Sequence, residues 1–188
     1  YLTADETANN PTMTIAATAQ YKTADNMTDK GAGLRALLRM DYSSPHARSA
    51  LDDYYQSYKA DDLVIDNWFG MSVGFAGQDA VTQALALTQH PDFHNPSPNR
   101  IRSVVGGVVG TAEAFHKLDG TGYAFIAEQI IGLDPKNPQT AARFVDSLAD
   151  FAKYAEPWQS KMKAALQMVA SQPKLSTDVD DKLKRILG

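Results

Sequence analysis

Apolar residues recur along this chain at intervals of three and four, the spacing that places side chains on one face of an α-helix. The segment 44–58 shows the pattern clearly. The residues that share one face within it are Ala47, Leu51, Tyr54, Tyr55 and Tyr58. Ser44 can accept a backbone N–H at the helix start, and Pro45 suits the first helical position. The pattern therefore predicts a capped helix with one buried face.

The last segment of the chain follows the same rules. Ser176 can cap a helix, acidic residues follow it, and basic residues precede the end, as the helix dipole favours. Reading the pattern along the chain predicts about ten helices. Their predicted ranges are 12–21, 28–40, 45–59, 62–76, 79–89, 99–112, 121–133, 138–151, 157–171 and 177–187. The ambiguous run from Val104 to Val109 is included as helix, with Gly106 and Gly107 allowing a neighbouring helix to approach.

Strand-like alternation is nearly absent, so the predicted fold class is all-α. Ten helices in 188 residues give a helix pair about every 37 residues, close to the pairs of roughly 40 residues in HEAT and armadillo arrays. No exact sequence repeat accompanies this spacing. We therefore expect an irregular right-handed array of antiparallel helix pairs, a HEAT- or armadillo-like superhelix, rather than a regular solenoid.

Charge and composition exclude several classes of function. The net charge of −4 argues against a nucleic-acid partner, which requires a basic surface. The absence of cysteine excludes disulfides and thiolate zinc sites. The longest uncharged apolar-leaning run, Ser103 to Ala112, is too short to cross a membrane. The first residue is Tyr1 rather than methionine, so we expect a processed product or a piece of a longer chain.

Two short motifs suggest enzyme sites but lack the context that each requires. Gly70–Gly74 matches the G-x-S-x-G nucleophile elbow around Ser72, yet the preceding residues predict a helix instead of a strand. His90 and His94 are spaced like two zinc ligands, but Pro91 interrupts the helix and replaces the glutamate of H-E-x-x-H. We therefore expect no catalytic or metal site at either position.

The segment Asp119–Tyr123 contains two glycines with the spacing of a phosphate-binding loop. No strand is predicted before it, and Phe125 stands where the third glycine of such a loop would lie. A tight turn followed by a helix with Thr121 as its cap explains the residues better.

Arginines lie near two predicted helix starts. Arg100 and Arg102 follow Pro98, and Arg143 follows the start at Asn137-Pro138. A cation near a helix start opposes the helix dipole by roughly 0.3–1 kcal/mol. Guanidinium groups and free backbone N–H groups at these places would suit an anion. Ordinary salt bridges between neighbouring helices are the alternative explanation.

Several stretches of the chain resemble stretches of the C-terminal domain of the bacterial aminopeptidase N family, in the order and with the spacing found there. The members of this family are zinc enzymes of the gluzincin class. The matching stretches are Ala24–Asp29, Asn67–Phe69, Asn99–Ser103, Ala114–His116, Asp119–Tyr123, Asn137–Gln139, Ala142–Arg143 and Lys161–Leu166. The resemblance extends from about Gln20 to Gly188. An ordered set of this kind is more specific than any single motif above.

The resemblance implies that residues 1–188 form a single helical C-terminal domain of a larger, cytoplasmic enzyme that removes N-terminal residues from peptides. In that family one zinc ion is bound by H-E-x-x-H and a distal glutamate, and G-A-M-E-N binds the substrate amine. None of these motifs occurs in this chain. The resemblance therefore implies no catalytic residue, metal ligand or cofactor in this chain, and zinc in the full-length enzyme.

The resemblance also implies the partners, which are an upstream catalytic domain of the same chain and peptide substrates. The helical domain of the family closes over the catalytic domain and restricts access to an enclosed cavity. Arg102 and Arg143 match the arginines that line this cavity. The accessory domain of a zinc aminopeptidase is therefore the preferred hypothesis. The alternative is a free-standing helical-repeat module that binds a protein or a peptide on its concave face.

Overall fold

The computed structural model describes residues 10–188, and every regular element in this range is helical. Eleven α-helices follow one another within it. They are α1 (Pro11–Thr23), α2 (Met27–Met40), α3 (Pro45–Tyr58), α4 (Asp62–Gly74), α5 (Ala80–Thr88), α6 (Pro98–Gly110), α7 (Ala112–Phe115), α8 (Thr121–Leu133), α9 (Pro138–Val145), α10 (Trp158–Ala170) and α11 (Thr177–Leu187). Short 3₁₀ turns cover Gly77–Asp79, Pro91–Phe93, Asp146–Leu148 and Phe151–Lys153. The prediction of an all-α fold is confirmed.

Polar side chains at the residue before a helix explain where most of the helices begin. Each of these side chains accepts a backbone N–H from the first turn, which would otherwise lack a partner. The capping residues are Asn10, Asn26, Ser44, Asp61, Ser97, Asn137 and Ser176. The caps predicted at Ser44 and Ser176 are confirmed.

The chain divides into two compact units, residues 1–76 and 77–188. In the described part of the first unit, α1 packs on α2 and α3 packs on α4. A Cβ atom at Gly33 would lie 2.8 Å from the backbone nitrogen of Tyr21, so this glycine lets α1 and α2 approach closely. The indole N–H of Trp68 in α4 donates to the carbonyl of Leu51 in α3, 3.0 Å away. Leu34 and Phe69 are fully buried in the core of this unit.

In the second unit, α8 packs against α9 and α10, and α11 packs against α9. The largest side chains buried in this unit are Tyr123, Ile126, Ile130, Leu148, Met162 and Leu166. The apolar stripe predicted for the last helix faces this core through Val179 and Leu183. The prediction that residues 1–188 form one domain stays a prediction.

Two details differ from the sequence-based expectations. The run containing Gly106 is helical, as predicted, but a Cβ atom at Gly106 would meet no atom within 4 Å. Close approach of a neighbouring helix therefore does not explain this glycine. The helix predicted over 138–151 ends at Val145, and a 3₁₀ turn follows. The carbonyl of Ala142, which a continuing α-helix would offer to the N–H of Asp146, accepts a hydrogen bond from Lys182 at 2.9 Å.

Candidate functional site

Arg102 lies in the second turn of α6 with its side chain exposed to solvent. One guanidinium N–H donates to the side-chain oxygen of Asn99. The neighbouring Arg100 has a different environment, because its side chain is buried and donates to the carbonyl of Asp92 at 2.8 Å. Arg100 thus holds the preceding turn in place, whereas Arg102 extends into solvent.

Arg143 is exposed in the last turn of α9. It lines a groove of about 370 Å³ between α9 and α11. The other residues of this groove are Gln139, Ala142, Asp178, Asp181, Lys182 and Arg185. Lys182 donates to the carbonyl of Ala142 and also pairs with Asp146, so its charge is partly compensated. Arg143 and Arg102 belong to the same unit but lie on different helices with different neighbours.

The position of Arg143 corrects one argument made from the sequence. Because α9 ends at Val145, Arg143 lies near the negative end of the helix, where a cation is favourable. The expectation that Arg143 opposes the helix dipole is therefore wrong. Within residues 10–188, neither Arg102 nor Arg143 lies within 4.0 Å of a carboxylate oxygen, so ordinary salt bridges do not explain them either.

The hydrolase motif around Ser72 lies inside α4, and Ser72 is fully buried. Its hydroxyl has no hydrogen-bond partner among the described residues. A nucleophile elbow requires a strand before the serine and exposure of its oxygen. Neither condition is met in the described part of the chain, so the geometry does not support a serine nucleophile.

His90 and His94 flank the 3₁₀ turn Pro91–Phe93. The Nδ1 atom of His90 accepts the backbone N–H of Asp92 at 3.1 Å, which closes this turn. No cluster of three or more histidine, cysteine, aspartate or glutamate side chains suited to a metal ion occurs in residues 10–188. The two histidines therefore lie in a loop, and the His90 side chain helps to define its local structure.

The glycine-containing segment is the tight turn predicted from the sequence, here defined as residues 119–122. Gly120 has φ +83°, a conformation that favours glycine. The carboxylate of Asp119 accepts the backbone N–H of Thr121 at 2.9 Å and its hydroxyl at 2.7 Å, and these bonds lower the pKa of Asp119. Gly120 is the capping residue and Thr121 the first residue of α8, so the predicted cap at Thr121 is wrong.

A second glycine of the tight turn is required by packing. A Cβ atom at Gly122 would lie 2.4 Å from the carbonyl oxygen of Ala114 and 2.5 Å from that of Phe115. These atoms belong to the backbone of α7 and cannot rotate away. The Nζ atom of Lys161 in α10 donates to the carbonyl of Asp119 at 3.3 Å, which ties the turn to a third helix.

An aromatic cluster lies beside this turn. The Nδ1 atom of His116 is 2.6 Å from the hydroxyl of Tyr123, and the ring of Tyr154 lies 5.0 Å from the imidazole. The indole N–H of Trp158 donates to the carbonyl of His116 at 2.7 Å. Burial lowers the pKa of His116 and raises the pKa of Tyr123 to about 12, so both side chains favour their neutral forms. The cluster could not be predicted from the sequence, because its members are up to 42 residues apart in the chain.

The consecutive packed helices place this chain in the class of helical-repeat domains. It belongs to the family described as "Domain of unknown function (DUF3458_C) ARM repeats", whose model matches residues 1–188. The predicted likeness to armadillo repeats is thereby confirmed.

Curated relatives include two proteins named aminopeptidase N. The one from Caulobacter vibrioides is 34% identical over 188 residues, which are 100% of this chain and 21% of that protein. The one from Escherichia coli is 33% identical over 170 residues, which are 90% of this chain and 19% of that protein. The chain thus spans about a fifth of the length of these relatives and corresponds to their C-terminal part. The predicted resemblance to the C-terminal domain of aminopeptidase N is confirmed.

A solved structure, that of Legionella pneumophila aminopeptidase A in complex with aspartic acid, has a similar fold. The TM-score is 0.85 at 28% sequence identity, and the match covers 93% of this chain and 20% of that one. None of the helices in the described range is both long and apolar enough to span a membrane.

Proposed function

We propose that this chain acts as the accessory C-terminal helical domain of an aminopeptidase, closing the substrate cavity of an upstream catalytic domain in the same chain. The observation that carries the proposal is the alignment of the whole chain with about a fifth of aminopeptidase N at 34% identity. In this proposal the zinc ion and the catalytic residues belong to the other domain. That domain removes N-terminal residues from peptides, and the enzyme works in the cytoplasm.

We assign Arg102 and Arg143 to the wall of that cavity. Both guanidinium groups are exposed and are not ion-paired within residues 10–188. Because each guanidinium group is exposed, it can donate to a peptide carboxylate. A guanidinium presents planar donors that suit a carboxylate, and such charge-assisted bonds are roughly twice as strong as neutral ones.

The test uses a chimera in which this chain replaces the matching C-terminal part of Escherichia coli aminopeptidase N. We expect the chimera to hydrolyse alanyl peptides. The double variant R102A/R143A should raise the KM for a tripeptide with a free carboxylate by about tenfold, equivalent to about 1.4 kcal/mol. The KM for the corresponding peptide amide should change by less than about twofold, since the amide lacks the charge that the arginines bind.

The control is Arg39→Ala, which removes an exposed arginine from α2. It should leave both KM values unchanged. A chimera that is active but indifferent to R102A/R143A would remove the arginines from the cavity wall. A chimera that folds but shows no peptidase activity would contradict the accessory role itself. The relatives, in which the matching segment is the C-terminal part of a much longer chain, do not favour the alternative, a free-standing helical-repeat binding module.

A further inference from the structure

The second unit contains a cavity of about 1170 Å³ that is open to solvent and that neither arginine of the proposed cavity wall lines. Here called the loop cavity, it lies between the connection 88–98 and the last two turns of α8. Its lining also includes Lys136 and Asn137, just before α9. Arg102 and Arg143 are absent from the lining, so the loop cavity is distinct from the surface assigned above.

The lining combines apolar and polar groups. Phe93, Ile101 and Leu133 supply apolar surface. Polar side chains stand beside them without a hydrogen-bond or ion-pair partner within residues 10–188. These side chains are the exposed His94, Asn95, Glu128 and Lys136 and the half-buried Gln129. Binding pockets typically combine an apolar lining with a few polar groups that fix the orientation of the ligand.

The charges of the lining restrict the class of ligand. Glu128 and Lys136 contribute one carboxylate and one ammonium group. A polyanion such as a nucleotide would require several uncompensated cations. A ligand with one ammonium group, one carboxylate and amide groups between them matches the lining. Gln129 can both donate to and accept from such amides.

We propose that the loop cavity binds a short peptide with free ends, with Glu128 facing the ammonium group and Lys136 the carboxylate. Pockets of about 300–1,000 Å³ accommodate drug-sized ligands, so the observed volume admits a peptide of a few residues. Apolar side chains of the peptide pack on Phe93, Ile101 and Leu133. This binding is a property of the 188-residue chain itself and does not depend on the proposed aminopeptidase role.

Gly132 offers a way to block the cavity without disturbing the fold. It lies on the cavity wall in α8, and a Cβ atom there would meet no atom within 4 Å. Gly132→Phe therefore places a ring in the open volume, and phenylalanine also has a higher helix propensity than glycine. Gly106→Phe is the matched control, because Gly106 is equally free of neighbours, lies in α6 and does not line the cavity.

The experiment is an NMR chemical-shift titration of the 188-residue chain with the tetrapeptide Leu-Ala-Leu-Ala. We expect saturable shifts of the amides around the loop cavity. G132F should weaken binding at least about tenfold and G106F less than about twofold, while thermal melts confirm that both variants fold. Glu128→Gln and Lys136→Gln should each weaken binding by about fivefold, and the exposed Glu113→Gln should not.

The acetylated and amidated tetrapeptide lacks both terminal charges and should bind at least about fivefold more weakly. Equal binding of the blocked and the unblocked peptide would overturn the assignment of Glu128 and Lys136. Absence of saturable shifts, or full binding by G132F, would overturn the peptide site as a whole. Neither result would bear on the aminopeptidase activity of the chimera, so failure of this proposal is distinguishable from failure of the proposed function.

Discussion

The tight turn at residues 119–122 and the exposed arginines, Arg102 and Arg143, occur in the same set of family-like motifs but contribute differently to the molecule. The tight turn is fixed by a positive φ at Gly120 and by the backbone of α7 against Gly122. The arginines are exposed and have no ion pair within the described range. The fold requires the turn residues, whereas it does not explain the arginines.

A motif shared with a family therefore carries two kinds of information. Residues such as Gly122 identify the fold, because no other side chain fits their position. Residues such as Arg143 are the candidates for function, because a solvent-exposed cation contributes little to stability. The difference between the turn glycines and the exposed arginines can be tested by substitutions whose expected effects on stability differ widely.

The largest effect is expected for Gly122→Ala. The added Cβ atom would overlap the carbonyl oxygens of Ala114 and Phe115, so α7 and α8 must separate. We expect a loss of about 3 kcal/mol or more in the free energy of unfolding. Urea denaturation monitored by circular dichroism measures this loss.

Gly106→Ala is the control for this substitution, because its Cβ atom would meet nothing within 4 Å. It should stabilise the chain by up to about 1 kcal/mol through helix propensity alone. Similar losses in both variants would show that α7 does not constrain Gly122 as the structure indicates.

An intermediate effect is expected from pH at the aromatic cluster. Burial holds the pKa of His116 below its usual value, so the folded state favours the neutral ring. The unfolded chain then binds more protons between the two pKa values. The resulting stabilisation is complete above the unfolded pKa, near 6.5, and is lost as pH falls through the folded pKa.

Urea midpoints at about pH 7.5 and about pH 5 test this prediction. The unmodified chain should lose stability between them, and His116→Gln should lose less. The exposed His46 provides the control variant His46→Gln. If His116→Gln retains the full pH dependence of the unmodified chain, another group causes it.

The smallest effect is expected for Arg102→Ala and Arg143→Ala. Both side chains are exposed, and we expect each substitution to change the free energy of unfolding by less than about 0.5 kcal/mol. Thermal denaturation of the isolated chain measures this change in stability. A loss above about 1 kcal/mol in the free energy of unfolding for either variant would show that the arginine stabilises the fold. Its exposure would then no longer indicate a role in function alone.

Much of the fold could be predicted because its determinants are local. The caps at Ser44 and Ser176 and the apolar spacing that follows each act within one or two turns of chain. The glycines of the tight turn were also recognisable, since Asp119 and Gly120 form a turn with their immediate neighbours. The arginines of the candidate site were found partly through resemblance, because position on a helix alone does not distinguish a functional cation from a salt bridge.

The helical class, most of the helix starts and the family could be predicted from the sequence alone, since each depends on short-range spacing or on an ordered set of motifs. Tertiary contacts, by contrast, were needed to show that α9 gives way to a 3₁₀ turn at Asp146, where Lys182, 40 residues away, donates to the carbonyl of Ala142. The same holds for the burial of Arg100 and for the open cavity that residues 88–98 form with α8. Such features depend on contacts between segments distant in the chain, and local periodicity carries no information about those contacts.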